Sequence, residues 1–165
     1  MQHASLDTTK LSNKVASNVK ATKDGRIIKF HSKYNFQTFA TKLFEGKASA
    51  PDFTNNEFSN DTAYVKFIEE GCKKNQINFG GHYTIIQRSC GAMCSNIFII
   101  DRHNGKIVTD IKPNDGRYGY LFKKDSKLLI ANSSVFQDDS FKYYNDLFGA
   151  PELYVWTGDN FKLLR

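Results

Sequence analysis

Short apolar runs separated by polar turns make up the chain after residue 79. The runs HYTIIQRS and SNIFIID are rich in β-branched and aromatic residues, which favour strands. The pair Asn104-Gly105, which follows them, is typical of a tight hairpin turn. Two more hairpins are predicted, one turning about 124–126 and one about 158–160. Successive hairpins with short turns predict an antiparallel β-meander.

Helical spacing dominates earlier in the chain. In NDTAYVKFIEEGCKKN the apolar residues share one helix face, and Asn60 or Asp61 can cap the first turn. Over 36–44 the apolar spacing suits a second helix, although an extended conformation also fits it. A short strand is predicted over 26–30. The fold class is therefore α+β: an antiparallel β-sheet meander of hairpins with one or two N-terminal helices packed on it.

Length and composition favour a single domain that follows a polar N-terminal arm. The chain has 165 residues, of which 40% are hydrophobic, and this is enough for one independent core. Residues 1–25 are rich in Ser, Thr, Asn and Lys, so we expect a flexible arm there and a single α+β domain over 26–165. The arm lacks the apolar centre of a signal peptide, so we expect any leader to be absent from this sequence. No apolar run approaches the roughly 20 residues of a membrane span.

The net charge of +6 does not by itself identify a partner. A basic surface attracts nucleic acid, anionic lipid or acidic protein. The lysines are scattered, however, and no RNP-like, zinc-finger or helix-turn-helix motif accompanies them, so we do not expect nucleic-acid binding. Gly80-Gly81 is not a phosphate loop because GxxxxGK[ST] is missing, and we interpret it as a close backbone approach or a bulge. We expect no cofactor.

The three cysteines bear on the compartment of the protein. Cys90 and Cys94 flank a short loop in which Gly91 permits a positive φ, so a bond between them is the favoured pairing. Pairing of either with Cys72, or three reduced thiols, stays open. Oxidised cysteines would indicate an exported protein. We interpret Cys72 itself as a small, buried hydrophobic residue on the apolar face of the predicted helix.

Three reactive roles for the segment FGGHYTIIQRSCGAMC are less favoured than a structural one. A redox dithiol usually has two intervening residues at a helix N-terminus, whereas here there are three between strands. A zinc site using both cysteines with His82 and His103 matches no standard finger spacing. A Cys–His nucleophile is hindered because eight residues of strand separate His82 from Cys90 by about 26 Å. We expect His82 to be a packed, hydrogen-bonded residue next to Tyr83.

The ordered motifs resemble those of a group of small exported or lipid-anchored bacterial proteins. That group shows N-F-[AG]-G-H-Y, C-G-x-x-C and I-D-x-x-T-G-K-V motifs. This chain departs from the group at Arg88-Ser89, where a Trp-Gly-like pair is common, and at Asn104, where Thr is common, and a second cysteine pair is missing. The resemblance implies an oxidising compartment and a Cys90–Cys94 bond, but it supplies no reaction. The matching stretches, within residues 43–165, are LFEGKASAPDF, NFGGHYTIIQRSCGAMC, IIDRHNGKIV, KDSKLLI and VWTGDNFKLL.

These observations favour a small exported, non-catalytic binding module of the inhibitor or immunity type. We expect it in the periplasm or outside the cell, with another envelope or secreted protein as its partner. The alternative is a Cys/His-dependent enzyme that uses the 79–94 hairpin. No catalytic residue and no metal ligand is predicted. The candidate binding residues are His82, Tyr83, Arg88, Asp101, Tyr118 and Tyr120.

Overall fold

The described part of the chain contains one α-helix, one 3-10 helix and nine short strands in a computed structural model. It covers residues 27–30, 32–92, 94–108, 111, 113–114, 118–133, 142–144 and 150–165, so the arm expected over 1–25 lies outside it. The elements are β1 (Ile27–Lys29), the 3-10 helix (Phe36–Phe39), α1 (Thr62–Asn75), β2 (Tyr83–Gly91), β3 (Cys94–Asp101), β4 (Ile107–Val108), β5 (Tyr120–Phe122), β6 (Leu128–Ala131), β7 (Lys142–Tyr144), β8 (Glu152–Trp156) and β9 (Phe161–Leu163).

Two antiparallel sheets carry the fold. The first has the order β2-β3-β4 and the second the order β5-β6-β8-β9, and β1 pairs with β7 in a separate ribbon. The three predicted hairpin turns all join adjacent antiparallel strands. The α+β class with a meander of hairpins is therefore confirmed. The sequence predicts no strand over 142–144, where β7 forms and pairs with β1.

Alternation of side chains along the strands gives each sheet two apolar faces. Facing residues of the two sheets, among them Ile85, Ile99, Leu129 and Trp156, form one buried cluster. The residues next to these in sequence point to the outer face of each sheet. Those of the first sheet pack on α1, in a cluster formed by Ile86, Phe98, Ile100, Tyr64, Ile68 and Cys72. Those of the second sheet pack on the 3-10 segment, in a cluster formed by Leu128, Ile130, Leu153 and Phe36. The order of layers is therefore α1, first sheet, second sheet, 3-10 segment.

The helix proposed over 36–44 is reduced to the 3-10 turn Phe36–Phe39. The chain is already extended at Ala40, with ψ 143°. The backbone N–H groups of Thr41 and Phe44 then donate to carbonyl oxygens of distant segments, at 2.8 and 2.9 Å. Because these partners satisfy the backbone without a helix, tertiary contacts override the helical spacing. Among the described helices, none combines the length and the apolar character needed to cross a bilayer.

Candidate functional site

The β2–β3 hairpin carries different chemistry at its two ends. At the base of the hairpin, Tyr83 pairs with Asp101, and at its tip Gly91 pairs with Cys94. Cys90 and Cys94 lie at disulfide distance at the tip, with their Cα atoms 5.1 Å apart. The sulfur pair and the groups at the base are therefore separated by the length of the hairpin.

Two histidines and an aspartate meet at the base. His82 Nε2 and His103 Nδ1 each lie 3.8 Å from Oδ1 of Asp101. The two imidazole rings stack with their centroids 3.9 Å apart and an interplanar angle of 17°. His82 and Asp101 are about one-fifth exposed, whereas the His103 side chain is 47% exposed. We call these three residues the His–Asp–His cluster.

The turn after β3 sets the position of two members of this cluster. The Asp101 carboxylate accepts the backbone N–H of His103 at 2.8 Å, and Gly105 donates its N–H to the Asp101 carbonyl at 2.7 Å. Gly105 has φ +82°, and a Cβ there would overlap the carbonyl oxygen of Ala50. A tight turn that only glycine fits therefore folds His103 back over Asp101.

Arg102 anchors the same turn from inside. Its side chain is almost fully buried, with 8% exposure for the residue. The guanidinium donates to the carbonyl oxygen of Ser49 at 2.9 Å and to the hydroxyl of Thr84 at 3.1 Å. It also reaches the carbonyl oxygen of Cys72 in the last turn of α1, at 3.4 Å, where a positive charge is favourable. Arg102 thus ties the turn to α1, β2 and the 49–52 segment.

A shallow pocket of about 290 Å³ opens beside the His–Asp–His cluster. Its walls are His82, His103 and the 42–45 segment, which contributes Phe44 and Glu45. Phe44 meets His103 edge to face, with ring centroids 4.4 Å apart. Solvent and small ligands can therefore reach the imidazoles from this side.

Gly81 brings the 42–45 segment against the base of the hairpin. It has φ +88°, and a Cβ there would lie 2.6 Å from the carbonyl oxygen of Lys42. Its own carbonyl accepts the N–H of Phe44 at 2.9 Å. The close backbone approach expected from Gly80-Gly81 is thus confirmed, and it forms one wall of the pocket.

The pKa of His82 is lowered from its ordinary value. Partial burial is the main cause, the Asp101 carboxylate opposes it, and the neighbouring His103 and Lys127 charges lower the pKa further. The neutral imidazole is therefore favoured near neutral pH. In chemical terms the cluster offers two imidazole nitrogens and a carboxylate, groups that can accept protons or coordinate a cation.

The sequence-based candidates do not share one surface. His82 packs on Tyr83, with ring centroids 4.0 Å apart, as expected, but its Nε2 lies 3.8 Å from Asp101 Oδ1, too far for the expected hydrogen bond there. Tyr83 and Tyr120 are both buried in the cluster between the sheets, and Tyr118 is half-buried. Because their rings face the core, neither Tyr83 nor Tyr120 presents a face to a partner. Arg88 is exposed toward the tip of the hairpin and lies over the ring of Phe67, 5.3 Å from its centroid.

His103 and Arg102 belong to the site but were not candidates from the sequence. The sequence offers His103 only as a zinc ligand together with the cysteines, and these lie at the other end of the hairpin. Pairing of HYTIIQRS with SNIFIID as a hairpin would have predicted part of the cluster, because this register places Asp101 opposite Tyr83, next to His82. The Asn104-Gly105 turn then returns the chain so that His103 lies over that point.

Comparisons with protein-family models, with curated proteins and with solved structures return no match for this chain.

Proposed function

We propose that this protein is a small exported, non-catalytic binding module of the inhibitor or immunity type. It docks an envelope or secreted protein on the outer edge and tip of its β2–β3 hairpin. The partner contributes an extended segment that adds to the edge of β2, a common mode of peptide recognition. The contact predicted from the sequence is thereby assigned to one edge strand, β2.

The observation that carries the proposal is the change in burial along β2. Its first four residues, from Tyr83 to Ile86, are buried, and the remaining five, to Gly91, are exposed. The hairpin therefore extends past the layers that cover its base. Cys90 and Cys94 close the tip at disulfide distance, which restricts its conformations. A projecting, restrained hairpin loses little entropy when a partner binds.

The outer edge of β2 supplies the hydrogen-bonding groups. β2 is at the edge of its sheet. At Ile85 the outward backbone N–H and carbonyl are both satisfied by the side chain of Asn78, at 2.7 and 3.0 Å. The two-residue period of a strand makes Gln87 the next position whose backbone groups point outward. Within the described residues, Gln87 has no backbone partner on that side, so the edge is open from there to the tip.

The exported location is part of this proposal. Cys90 and Cys94 have the Cα separation of a disulfide, 5.1 Å, and such bonds persist in oxidising compartments. The resemblance to exported bacterial proteins points in the same direction. The alternative, a Cys/His-dependent enzyme, gains no support from the geometry. Its histidine lies at the base of the hairpin and its thiols lie together at the tip.

The test blocks the edge of β2 without altering the interior of the hairpin. Gln87→Pro removes one outward N–H, which an edge strand tolerates, and Gln87→Ala is the matched control that keeps it. The tagged variants are cross-linked in envelope extract, and bound proteins are quantified. We expect a partner that both wild type and Gln87→Ala recover and that Gln87→Pro loses by at least about tenfold.

Two results would contradict this proposal. Equal recovery with Gln87→Pro and Gln87→Ala would remove the edge of β2 from the contact, provided that both variants keep the wild-type circular dichroism spectrum. Recovery of no protein above background by the wild type, across several growth conditions, would remove the binding module itself.

A further inference from the structure

We propose that the His–Asp–His cluster binds one divalent first-row transition metal ion, with zinc as the best match. The ligand atoms are Nε2 of His82, Oδ1 of Asp101 and Nδ1 of His103. This site is at the base of the hairpin, whereas the proposed docking edge is near the tip. Either proposal can therefore fail without the other.

The three ligand atoms lie close together. Both nitrogens are 3.8 Å from the carboxylate oxygen, and all three atoms lie within 4.8 Å of one another. Ligand atoms at about 2.0–2.1 Å from a tetrahedral zinc ion are separated by roughly 3.3 Å. Closure around an ion thus requires shifts of about an ångström. Rotation of the half-exposed His103 ring and of the Asp101 carboxyl can supply them.

The backbone N–H of His103 bonds to the Asp101 carboxylate, but no hydrogen bond joins either imidazole to that carboxylate. A separation of 3.8 Å between a ring nitrogen and the Asp101 oxygen exceeds hydrogen-bonding distance on both sides. The two nitrogens nevertheless lie equally close to one carboxylate oxygen. Because the rings are stacked nearly parallel, their in-plane lone pairs do not yet point at a common centre. An ion shared by His82, His103 and Asp101 would therefore bind after the half-exposed His103 ring turns out of the stack and directs its Nδ1 lone pair toward His82 Nε2 and the carboxylate.

The surroundings suit a metal centre in two further ways. The Asp101 carboxylate is oriented by the backbone N–H of His103, at 2.8 Å, which is the kind of outer contact that fixes a metal ligand. The cluster also rests on the turn that buried Arg102 anchors to three other segments. The backbone that carries Asp101 and His103 is therefore held in place, so that assembly around an ion needs only side-chain rotation.

The composition of the site selects the class of metal. Two imidazoles with one carboxylate suit zinc, cobalt, nickel or iron rather than magnesium or calcium, which prefer oxygen ligands. Three protein ligands leave a position open toward the pocket, where Glu45 is the acidic residue in the wall. Lys42 also lines the pocket, and Lys127 acts electrostatically on His82. Asp101 and Glu45 offset these positive charges.

The test measures metal binding by the full chain. The chain has four histidines, and two of them, His3 and His31, are not among the proposed ligands. All titrations therefore use the variant His3→Ala/His31→Ala, which lacks their competing imidazoles. The protein is freed of metal with a chelator and kept oxidised. It is then titrated with Co²⁺, followed by its visible absorbance, and with Zn²⁺, followed by calorimetry. We expect one equivalent to bind with a dissociation constant below about 10 μM.

Asp101→Asn is the critical variant. Asparagine keeps the side-chain oxygen that accepts the His103 N–H, so the turn should fold, but it loses the anionic ligand. We expect the dissociation constant to rise by at least about tenfold, with Asp159→Asn as the charge-matched control that leaves it unchanged. His103→Asn, at an exposed position, should weaken binding in the same way.

Zinc-induced shifts of the imidazole signals of both His82 and His103 in NMR spectra would identify the ligands directly. Absence of saturable binding of Co²⁺ and Zn²⁺ at about 1 mM would overturn the proposal. So would unchanged affinity in the folded Asp101→Asn/His103→Asn double variant, since the ion would then be bound elsewhere.

Discussion

Arg102 illustrates how a single buried charge organises this protein. Burying a guanidinium is unfavourable unless its donors are satisfied, and here they reach Ser49, Thr84 and the last turn of α1. Thr84 in turn donates its hydroxyl to the carbonyl of Gln76, the residue that follows α1. The result is a polar connection between the helix, β2 and the turn that bears His103. Its removal should therefore be costly.

We expect Arg102→Met to lower the free energy of unfolding by about 3 kcal/mol, because it leaves buried carbonyl and hydroxyl groups without their donor. Arg88→Met is the matched control, because it makes the same substitution at an exposed arginine. Arg88 is exposed and interacts with the ring of Phe67, so its loss should cost less than about 1 kcal/mol. Urea unfolding followed by Trp156 fluorescence measures both. Equal losses would show that the buried contacts of Arg102 do not stabilise the fold.

Cys72 combines burial with a raised pKa. The residue is 3% exposed on the inner face of α1, and burial raises the pKa of its thiol, while the nearby Arg102 charge offsets part of this effect. Both features suppress formation of a reactive thiolate.

Iodoacetamide should therefore modify Cys72 at least about a hundredfold more slowly in the native protein than in urea at the same pH. Intact-mass measurements over time give both rates. Free glutathione, modified in a separate tube under the same conditions, provides the reference. Rapid modification of the native, oxidised protein would contradict this expectation and would revive a thiol-based activity.

At the scale of elements, the β2–β3 hairpin behaves as two parts. Its base lies between α1 and the second sheet, and residues on both of its faces belong to buried clusters. Its outer part, from Gln87 to the tip, is exposed along β2. The cysteine pair lies only in the outer part, with three residues between its two members. The core should therefore be largely independent of that pair.

Reduction of the cysteine pair should lower the free energy of unfolding by at most about 2 kcal/mol, because so short a loop restricts the unfolded chain only slightly. The fluorescence of the buried Trp156 and the near-ultraviolet dichroism of the core should stay unchanged. Cys90→Ser/Cys94→Ser provides the matching variant without reductant. Loss of the native spectra on reduction would mean that the bond between Cys90 and Cys94 supports the core as well as the tip.

At the scale of the whole molecule, the interface between the two sheets holds the largest of the three buried apolar clusters among the described residues. Phe79, Leu129 and Trp156 are almost completely buried there. The same interface holds the base of the β2–β3 hairpin and so the His–Asp–His cluster. Loss of packing between the sheets should therefore destabilise the whole described part of the chain rather than one strand.

Leu129→Ala should lower the free energy of unfolding by roughly 3 kcal/mol, through lost burial and the cavity that remains. Leu163→Ala is the control in the same sheet. Its side chain is among the exposed hydrophobics, at 42%, so its loss should cost less than about 1 kcal/mol. Thermal and urea unfolding measure both variants. A similar cost for the two would place the main core elsewhere.

Local signals in the sequence were enough for the elements with short-range causes. The helix α1 begins after Asp61, whose carboxylate accepts the N–H groups of Ala63 and Tyr64, as its capping position predicted. The turn at Asn104-Gly105 joins β3 and β4, and the alternating runs became paired strands. Each of these features depends on residues within a few positions of one another.

The features that the sequence missed have long-range causes. The apolar spacing over 36–44 fits a helix, yet the hydrogen-bond partners of Thr41 and Phe44 lie in other segments and hold that stretch extended. The pairing of β1 with β7 joins segments more than 110 residues apart, and no local pattern encodes it. The burial of Tyr120, proposed as a contact residue, depends on which sheet face meets which.

The sequence by itself determined the α+β class, the capped helix, the hairpin turns and the proximity of Cys90 to Cys94, because propensity, periodicity and turn chemistry act over a few residues. The tertiary structure alone decided that His82, Asp101 and His103 meet beside a pocket, while the sulfur pair lies at the far end of the same hairpin. That placement depends on strand register, on the close approach at Gly81 and on the buried contacts of Arg102. Each of these couples segments that are distant in the chain, so the chemistry of the site emerges only when the layers pack.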